Sequence, residues 1–188
     1  MTSTNATPTV RHIVGPTILL QSGEYFDFVD PEASAFTIGD IAHALSNLCR
    51  FTGQCSRFYS VAEHSVHASR QVEPEFAFEA LMHDAAEAFV GDVSKPLKGL
   101  LRDYRVIEAR VEAAIRRRFG LPLICSESVK RVDLAMLRTE QVQLMRNRDD
   151  WPILQGFEPY AITLPCWAPE TARAMFLRRF AKLKPVRL

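Results

Sequence analysis

The stretch that most constrains this chain is Leu81-Met82-His83-Asp84-Ala85-Ala86-Glu87-Ala88-Phe89-Val90-Gly91-Asp92, an otherwise apolar run carrying four groups that bind metals or protons. On a 3.6-residue period His83 and Glu87 stand four apart and Asp84 and Glu87 three apart. Their side chains therefore share one patch of a helix, while Ala80, Leu81, Ala85 and Ala88 pack around them. His83 and Asp84 diverge by about 100°, close enough for an imidazole and a carboxylate to reach one ion from the side. Taken alone, such a dozen is more simply a wet helix face. Two other segments argue for more. Ser60 to His67, with Ser60 and Glu63 spaced as a capping box, opens a helix that carries His64 in its first two turns. Val129 to Leu137 sets Asp133 among apolar neighbours. One His, one His-Asp pair and one distant Asp make four nitrogen and oxygen ligands.

The order His64, His83-Asp84, Asp133 resembles the defining pattern of the HD-domain metal-dependent phosphohydrolases. From Arg50 to Lys98 the chain is similar to the branch that holds bacterial 5′-deoxynucleotidases and phage deoxyadenosine triphosphatases. Arg50-Phe51, Glu63-His64-Ser65, and His83-Asp84 with Glu87 and Asp92 follow that branch's order. The resemblance spans roughly Ile38 to Glu140. It implies an all-α HD-domain helical bundle, one divalent ion per subunit on His64, His83, Asp84 and Asp133, and a nucleotide substrate, preferably a deoxynucleotide. Either a 5′-monophosphate is split or triphosphate is removed. The resemblance also favours Arg50 as a phosphate clamp and sets Phe51 against the ribose. Several relatives carry Trp there, and the smaller ring excludes a 2′-hydroxyl less. Relatives of this kind form dimers or larger rings, so a homo-oligomer is expected.

Two imidazoles and two carboxylates suit Mn, Co, Fe, Ni or Zn, with positions left for water and a phosphate oxygen. Such an ion polarises the phosphoryl group and lowers the pKa of bound water, so that hydroxide attacks phosphorus near neutral pH. Glu87 is the candidate to orient or deprotonate that water and Asp92 to protonate the leaving oxygen, roles that can be exchanged. Arg50 and Lys95 are placed to neutralise charge on the equatorial oxygens; Lys98 reads as solvated. His43 reads as a packed or surface residue. His67, one turn from His64, reads as packed or substrate-facing rather than as a ligand of a second ion. A catalytically idle HD module that binds nucleotide for regulation is the alternative, opposed by the retention of every acid and base beside the ligands.

At 188 residues the chain can bury a core without staples. A net charge of +1 argues against nucleic acid or an anionic membrane as partner, although Arg116 to Arg118 and Arg178-Arg179 are local basic runs. Cys49, Cys55, Cys125 and Cys166 form no C-x-x-C pair and have no secretory signal ahead of them, so they read as reduced thiols of a cytoplasmic protein. No apolar run approaches the roughly 20 residues that cross a bilayer.

In chain order, residues 1–10 read as a flexible terminus and 11–188 as a single HD domain. Within it a hairpin is expected at about 16–29, around a Gly23-containing turn, and a helical core at about 37–147. A C-terminal loop and helix occupy 148–188. Thr37 and Asp40 have capping-box spacing at the start of a helix ending near Arg50. Pro74 opens a helix that contains His83-Asp84 and stops at Gly91, and Asp92 to Lys98 forms a turn. Arg102 to Phe119 is amphipathic, with Tyr104, Ile107, Val111 and Ile115 on one side, a C-terminal arginine run that complements the helix dipole, and Gly120 as its stop. Ser126 or Ser128 restarts the chain into the Asp133 helix, which runs to about Arg146. An irregular segment from Asn147 to Pro165, of the kind that forms lids or subunit contacts, precedes a helix from about Pro169 to Lys182.

Overall fold

A computed structural model describes residues 15–184, so the terminus expected at 1–10 lies outside the described residues. The chain is mostly helical with one small antiparallel hairpin. Strand β1, Thr17–Leu19, pairs with β2, Tyr25–Asp27, in the register Ile18 to Phe26. Gly23, at φ 86°, lets the connecting turn close. The helices are α1 (Ile38–Asn47), α2 (Val61–Gln71), α3 (Ala77–Met82), α4 (Glu87–Val90), α5 (Lys95–Lys98), α6 (Arg102–Phe119), α7 (Glu127–Leu144) and α8 (Pro169–Leu183). Among the described residues no helix is long and apolar enough to cross a membrane.

Local chemistry explains most boundaries. The Thr37 side chain accepts from the Asp40 N–H and the Asp40 carboxylate accepts from the Thr37 N–H, so the capping box is complete. Helix α1 ends at Asn47, short of the expected Arg50, because Arg50 turns back to donate its N–H to Tyr59 O. Gly120 adopts the left-handed conformation, φ 68°, that closes α6 where expected.

Helix α2 lies at the centre of the packing, against α1, α3, α7 and α8. One core joins Ile41, Leu45, Val66, Leu81 and Phe176; a second, smaller core gathers Tyr59, Val132, Met136, Leu144 and Leu164 around α7. The hairpin is part of the first: Phe26 stacks on Phe89 at 3.9 Å between ring centres, and Phe36 meets Phe89 edge-on at 5.1 Å. Phe89 lies two residues beyond Glu87, so the aromatic cluster fixes the helix that carries the candidate base. The apolar side of α6 is buried only from Val111 onward, and Ile107 stays partly exposed.

Three expectations are corrected, two by long-range contacts and one by local geometry. Ser60 caps α2 through the Glu63 N–H, but Glu63 does not return the bond. Its buried carboxylate instead accepts from the Cys166 and Trp167 N–H groups at 2.9 and 2.6 Å, tying the start of α8 to α2. The arginine run does more than face a helix dipole: Arg116 is buried against Glu112 and Glu79, and Arg118 donates to Phe36 O and Ser34 O. The helix expected from Pro74 to Gly91 is interrupted. Pro74–Phe76 is a 3₁₀ turn, and between α3 and α4 the N–H groups of Ala85 and Glu87 bond three residues back, to Met82 and Asp84. That tightened turn contains the His-Asp pair.

Candidate metal centre

Three elements bring three of the four predicted ligands, His64, His83 and Asp133, into one group, with Asp84 beside it. His64 comes from the second turn of α2, His83 and Asp84 from the tightened turn after α3, and Asp133 from α7. His64, His83 and Asp133 each offer an atom within 4.8 Å of the other two, a group that can hold a metal ion. His64 Nε2 lies 3.3 Å from His83 Nε2 and 3.2 Å from Asp133 Oδ1. Asp84 Oδ2 lies 3.2 Å from His83 Nε2 and 3.7 Å from His64 Nε2. With bonds of about 2.1 Å to a common ion, neighbouring ligands stand about 3.0 Å apart in an octahedron and about 3.4 Å apart in a tetrahedron.

The ring orientations are set from behind. His83 Nδ1 donates to Ala80 O at 2.8 Å, and a carbonyl can only accept. His64 Nδ1 donates to Glu140 Oε1 at 2.6 Å. Each neutral imidazole therefore turns an Nε2 lone pair inward, where two carboxylate oxygens also point. Acceptors gathered this closely, with Asp84 beside them, call for positive charge there. The pKa directions express the same demand. Burial opposes charge on His83, yet Asp84 beside it holds the imidazole well above its ordinary value. Burial also opposes charge on Asp84, and His83 outweighs it, bringing the carboxyl down to about 2. Asp133 behaves likewise: burial works against its charge, and hydrogen bonds from His64 and His83 hold it well below the usual carboxylate range. A dication among His64, His83 and Asp133 satisfies those three groups at once, so that donor set fits a metal.

Glu140 was not singled out from sequence. It is fully buried on α7, accepting from His64 Nδ1 on one oxygen and from Arg50 Nε, at 3.1 Å, on the other. Arg50 also reaches Asp84 through Nη1 at 3.4 Å, so one carboxylate orients a ligand and the candidate phosphate clamp together. One sequence signal was present: Asp133 and Glu140 are seven apart on one helix and share a face. Glu140→Gln keeps the shape but sets an amide N–H against either Arg50 or His64. It is expected to weaken ion binding by about 10- to 100-fold and to cost roughly 3 kcal/mol of stability, read by metal titration and by denaturant unfolding.

The remaining candidates line a cavity of about 950 Å³ over the cluster. Glu87 is buried, and among the described residues its Oε2 has no hydrogen-bond partner. Burial first, then Asp84 and Asp92, pushes its carboxyl well above the ordinary value. Asp92 is also raised by burial, against the pull of Arg50. Lys95, Arg50 and Phe51 line the same space. Phe51 and Thr52 take positive φ, 56° and 53°, an arrangement that bulky side chains adopt only under strain and that recurs at functional sites. Lys98, expected to be solvated, instead forms a one-turn helix with Lys95. It sits 2.6 Å from Glu108 Oε1 and 3.8 Å from Glu87 Oε1, held in the cavity by charge from α6. His67 is not part of the cluster and stacks on Trp167 at 5.2 Å, while His43 is only partly buried on α1 and is likewise outside it. The four cysteines are free thiols.

The sequence is 45% identical over 169 residues to the uncharacterized protein YfdR of Escherichia coli, in an alignment covering 88% of this chain and 94% of that protein. This chain belongs to the YfdR family. An uncharacterized protein of Rhodobacter capsulatus is 34% identical over 137 residues, 65% of this chain and 70% of its own length. No protein-family model matches the sequence. The YfdR alignment runs over most of the chain, so it concerns the whole molecule and not an isolated motif.

Proposed function

We propose that the chain is an HD-domain phosphohydrolase that uses one divalent transition metal, of the Mn, Co, Fe, Ni or Zn group, to hydrolyse phosphate from nucleotides, preferably deoxynucleotides. The observation that carries the reading is the convergence of His64, His83 and Asp133, with Asp84 Oδ2 3.2 Å from His83 Nε2, beside a cavity whose walls hold both acids and cations. Asp84 and Asp133 with His64 and His83 would hold the ion. When bound, it supplies a Lewis acid toward a phosphoryl oxygen and a lowered pKa for water.

The chain's own groups do the rest. Glu87, buried and raised in pKa, accepts the proton of the attacking water, since a base is most effective when its pKa approaches the working pH. Asp92, raised less, lines the same cavity and serves as donor to the leaving oxygen. Arg50 has Nε and Nη1 engaged by Glu140 and Asp84, so its guanidinium plane is fixed and its remaining edge is available to a phosphoryl oxygen. Lys98 and Lys95 bring further positive charge to the same end. Phe51 stands beside Arg50, its ring centre 5.7 Å from the guanidinium carbon, where the sugar of a bound nucleotide would lie.

A panel of deoxynucleoside mono- and triphosphates, assayed with added Mn or Co, tests the proposal. Turnover that disappears with chelator and returns with the ion is expected. Silence across the whole panel at full metal occupancy would overturn it.

A further inference from the structure

Two of the candidate ligands, Asp84 and Asp133, line the 950 Å³ cavity together with the acids and the cations. The rest of the lining has a different chemistry. Leu134, Leu137, Met145, Trp151 and Ile153 belong to it, and none carries charge. Leu137 follows Asp133 by one turn of α7 and Met145 is the C-cap of the same helix. At 1.5 Å per residue the wall therefore begins at a metal ligand and runs for roughly 18 Å along α7.

The segment that completes the wall is built in place. Gln141, fully buried on α7, donates through Nε2 to Asp149 O at 2.9 Å, two residues before Trp151. On the far side Pro152 opens a 3₁₀ turn, Pro152–Leu154, that packs against α7 with Leu154 buried as its anchor. Leu154 N–H bonds back to Trp151 O at 2.8 Å. The Trp151 backbone is thus clamped from both directions, which places an indole, only partly buried, at the cavity surface. With the backbone anchored, only the two χ angles of Trp151 remain to be fixed when a ligand settles against it, a small entropy loss for so large a face.

Resting on the phosphohydrolase reading, we infer that Trp151 is a specificity-determining residue: with Leu137 and Met145 it receives the flat organic end of the substrate, a nucleobase recognised by stacking area and not by its hydrogen-bonding edge. Trp offers a large rigid face to a planar ring. Gln54 and Ser94 are the neutral polar side chains lining the same cavity, and neither belongs to the α7–Trp151 wall. Apart from the Trp151 indole N–H, the side chains of this wall offer no strong donor or acceptor, so it discriminates little between base edges, but it separates a nucleotide from a sugar phosphate.

The test compares wild type, Trp151→Ala and Trp151→Phe, loaded with Mn, on the four deoxynucleoside monophosphates, deoxyribose 5-phosphate and hexyl phosphate. Trp151→Ala is expected to raise KM about tenfold or more for all four nucleotides alike, with kcat lowered no more than about twofold. Its KM for deoxyribose 5-phosphate should stay at the wild-type value, and Trp151→Phe should recover most of the loss. An equal loss on the sugar phosphate, no loss on any compound, or a loss confined to one base would overturn the inference. A loss on hexyl phosphate as large as on the nucleotides would show a merely greasy wall and overturn it too. If no phosphate is turned over, the phosphohydrolase reading fails. Calorimetric titration of the Mn-loaded protein with deoxyadenosine monophosphate against deoxyribose 5-phosphate then still decides the wall, tighter binding of the nucleotide supporting it and equal binding overturning it.

Discussion

Replacing Asp84 with alanine is expected to remove the ion and the activity together, from one dication per chain to a small fraction. Turnover should fall about 10³-fold or more, because the ion supplies several kcal/mol of charge stabilisation. Asp84 is central because it has two duties. Its Oδ2 faces both Nε2 atoms, and the same oxygen accepts from Arg50 Nη1. Its removal therefore takes away a ligand and one of the two anchors of the clamp. The fold should survive, since Arg50 keeps Glu140 and His83 keeps Ala80 O. Metal content by elemental analysis, circular dichroism and turnover, read on one preparation, check the prediction. Full occupancy in Asp84→Ala would strike that residue from the ligand set.

The second large effect separates base from ligand. Glu87→Gln is expected to keep its ion and lose about 10²- to 10⁴-fold in rate, the range for loss of a positioned general base. The same variant should be more stable than the parent once metal is chelated. Burial, with Asp84 and Asp92 nearby, raises the Glu87 carboxyl above its unfolded value near 4.3. A carboxyl raised in this way contributes its stability below the unfolded pKa and loses it as pH rises through the folded pKa. Wild type should therefore lose Tm from about pH 5 upward more steeply than Glu87→Gln, the gap reaching on the order of 1 kcal/mol where Glu87 is ionised. Parallel Tm profiles would show that Glu87 carries no such strain. A retained rate would remove it from the chemistry.

What could be read along the chain was what short-range chemistry decides. Thr37 with Asp40, Ser60 ahead of α2, Gly120 after α6 and Pro169 at the start of α8 each act on atoms within four residues, and each boundary formed close to where that chemistry placed it. The His64, His83 and Asp133 grouping was also legible, because three separate segments offered ligands in an order that resembles a metal-binding family. The second layer was not. Glu140 answers to partners 76 and 90 residues away, and Glu63 to partners 103 and 104 away, so their immediate neighbours carried no sign of either role. Lys98 was misjudged for the same reason: Glu108, which holds it in the cavity, lies on a different helix. The 3₁₀ turn through His83 and Asp84 was hidden in another way, since Ala85 and Ala86 suit an unbroken helix equally well. Only the packing of α3 and α4 on separate neighbours, α3 on α2 and α4 on α1, separates the two.

The central claim is tested most directly by a crystal of the chain soaked with Mn and measured for anomalous scattering at the Mn edge. The account predicts a single strong peak about 2.0 to 2.3 Å from Nε2 of His64, Nε2 of His83 and one carboxylate oxygen each of Asp84 and Asp133. A peak bound elsewhere, or one that leaves Asp133 uncoordinated, would contradict it.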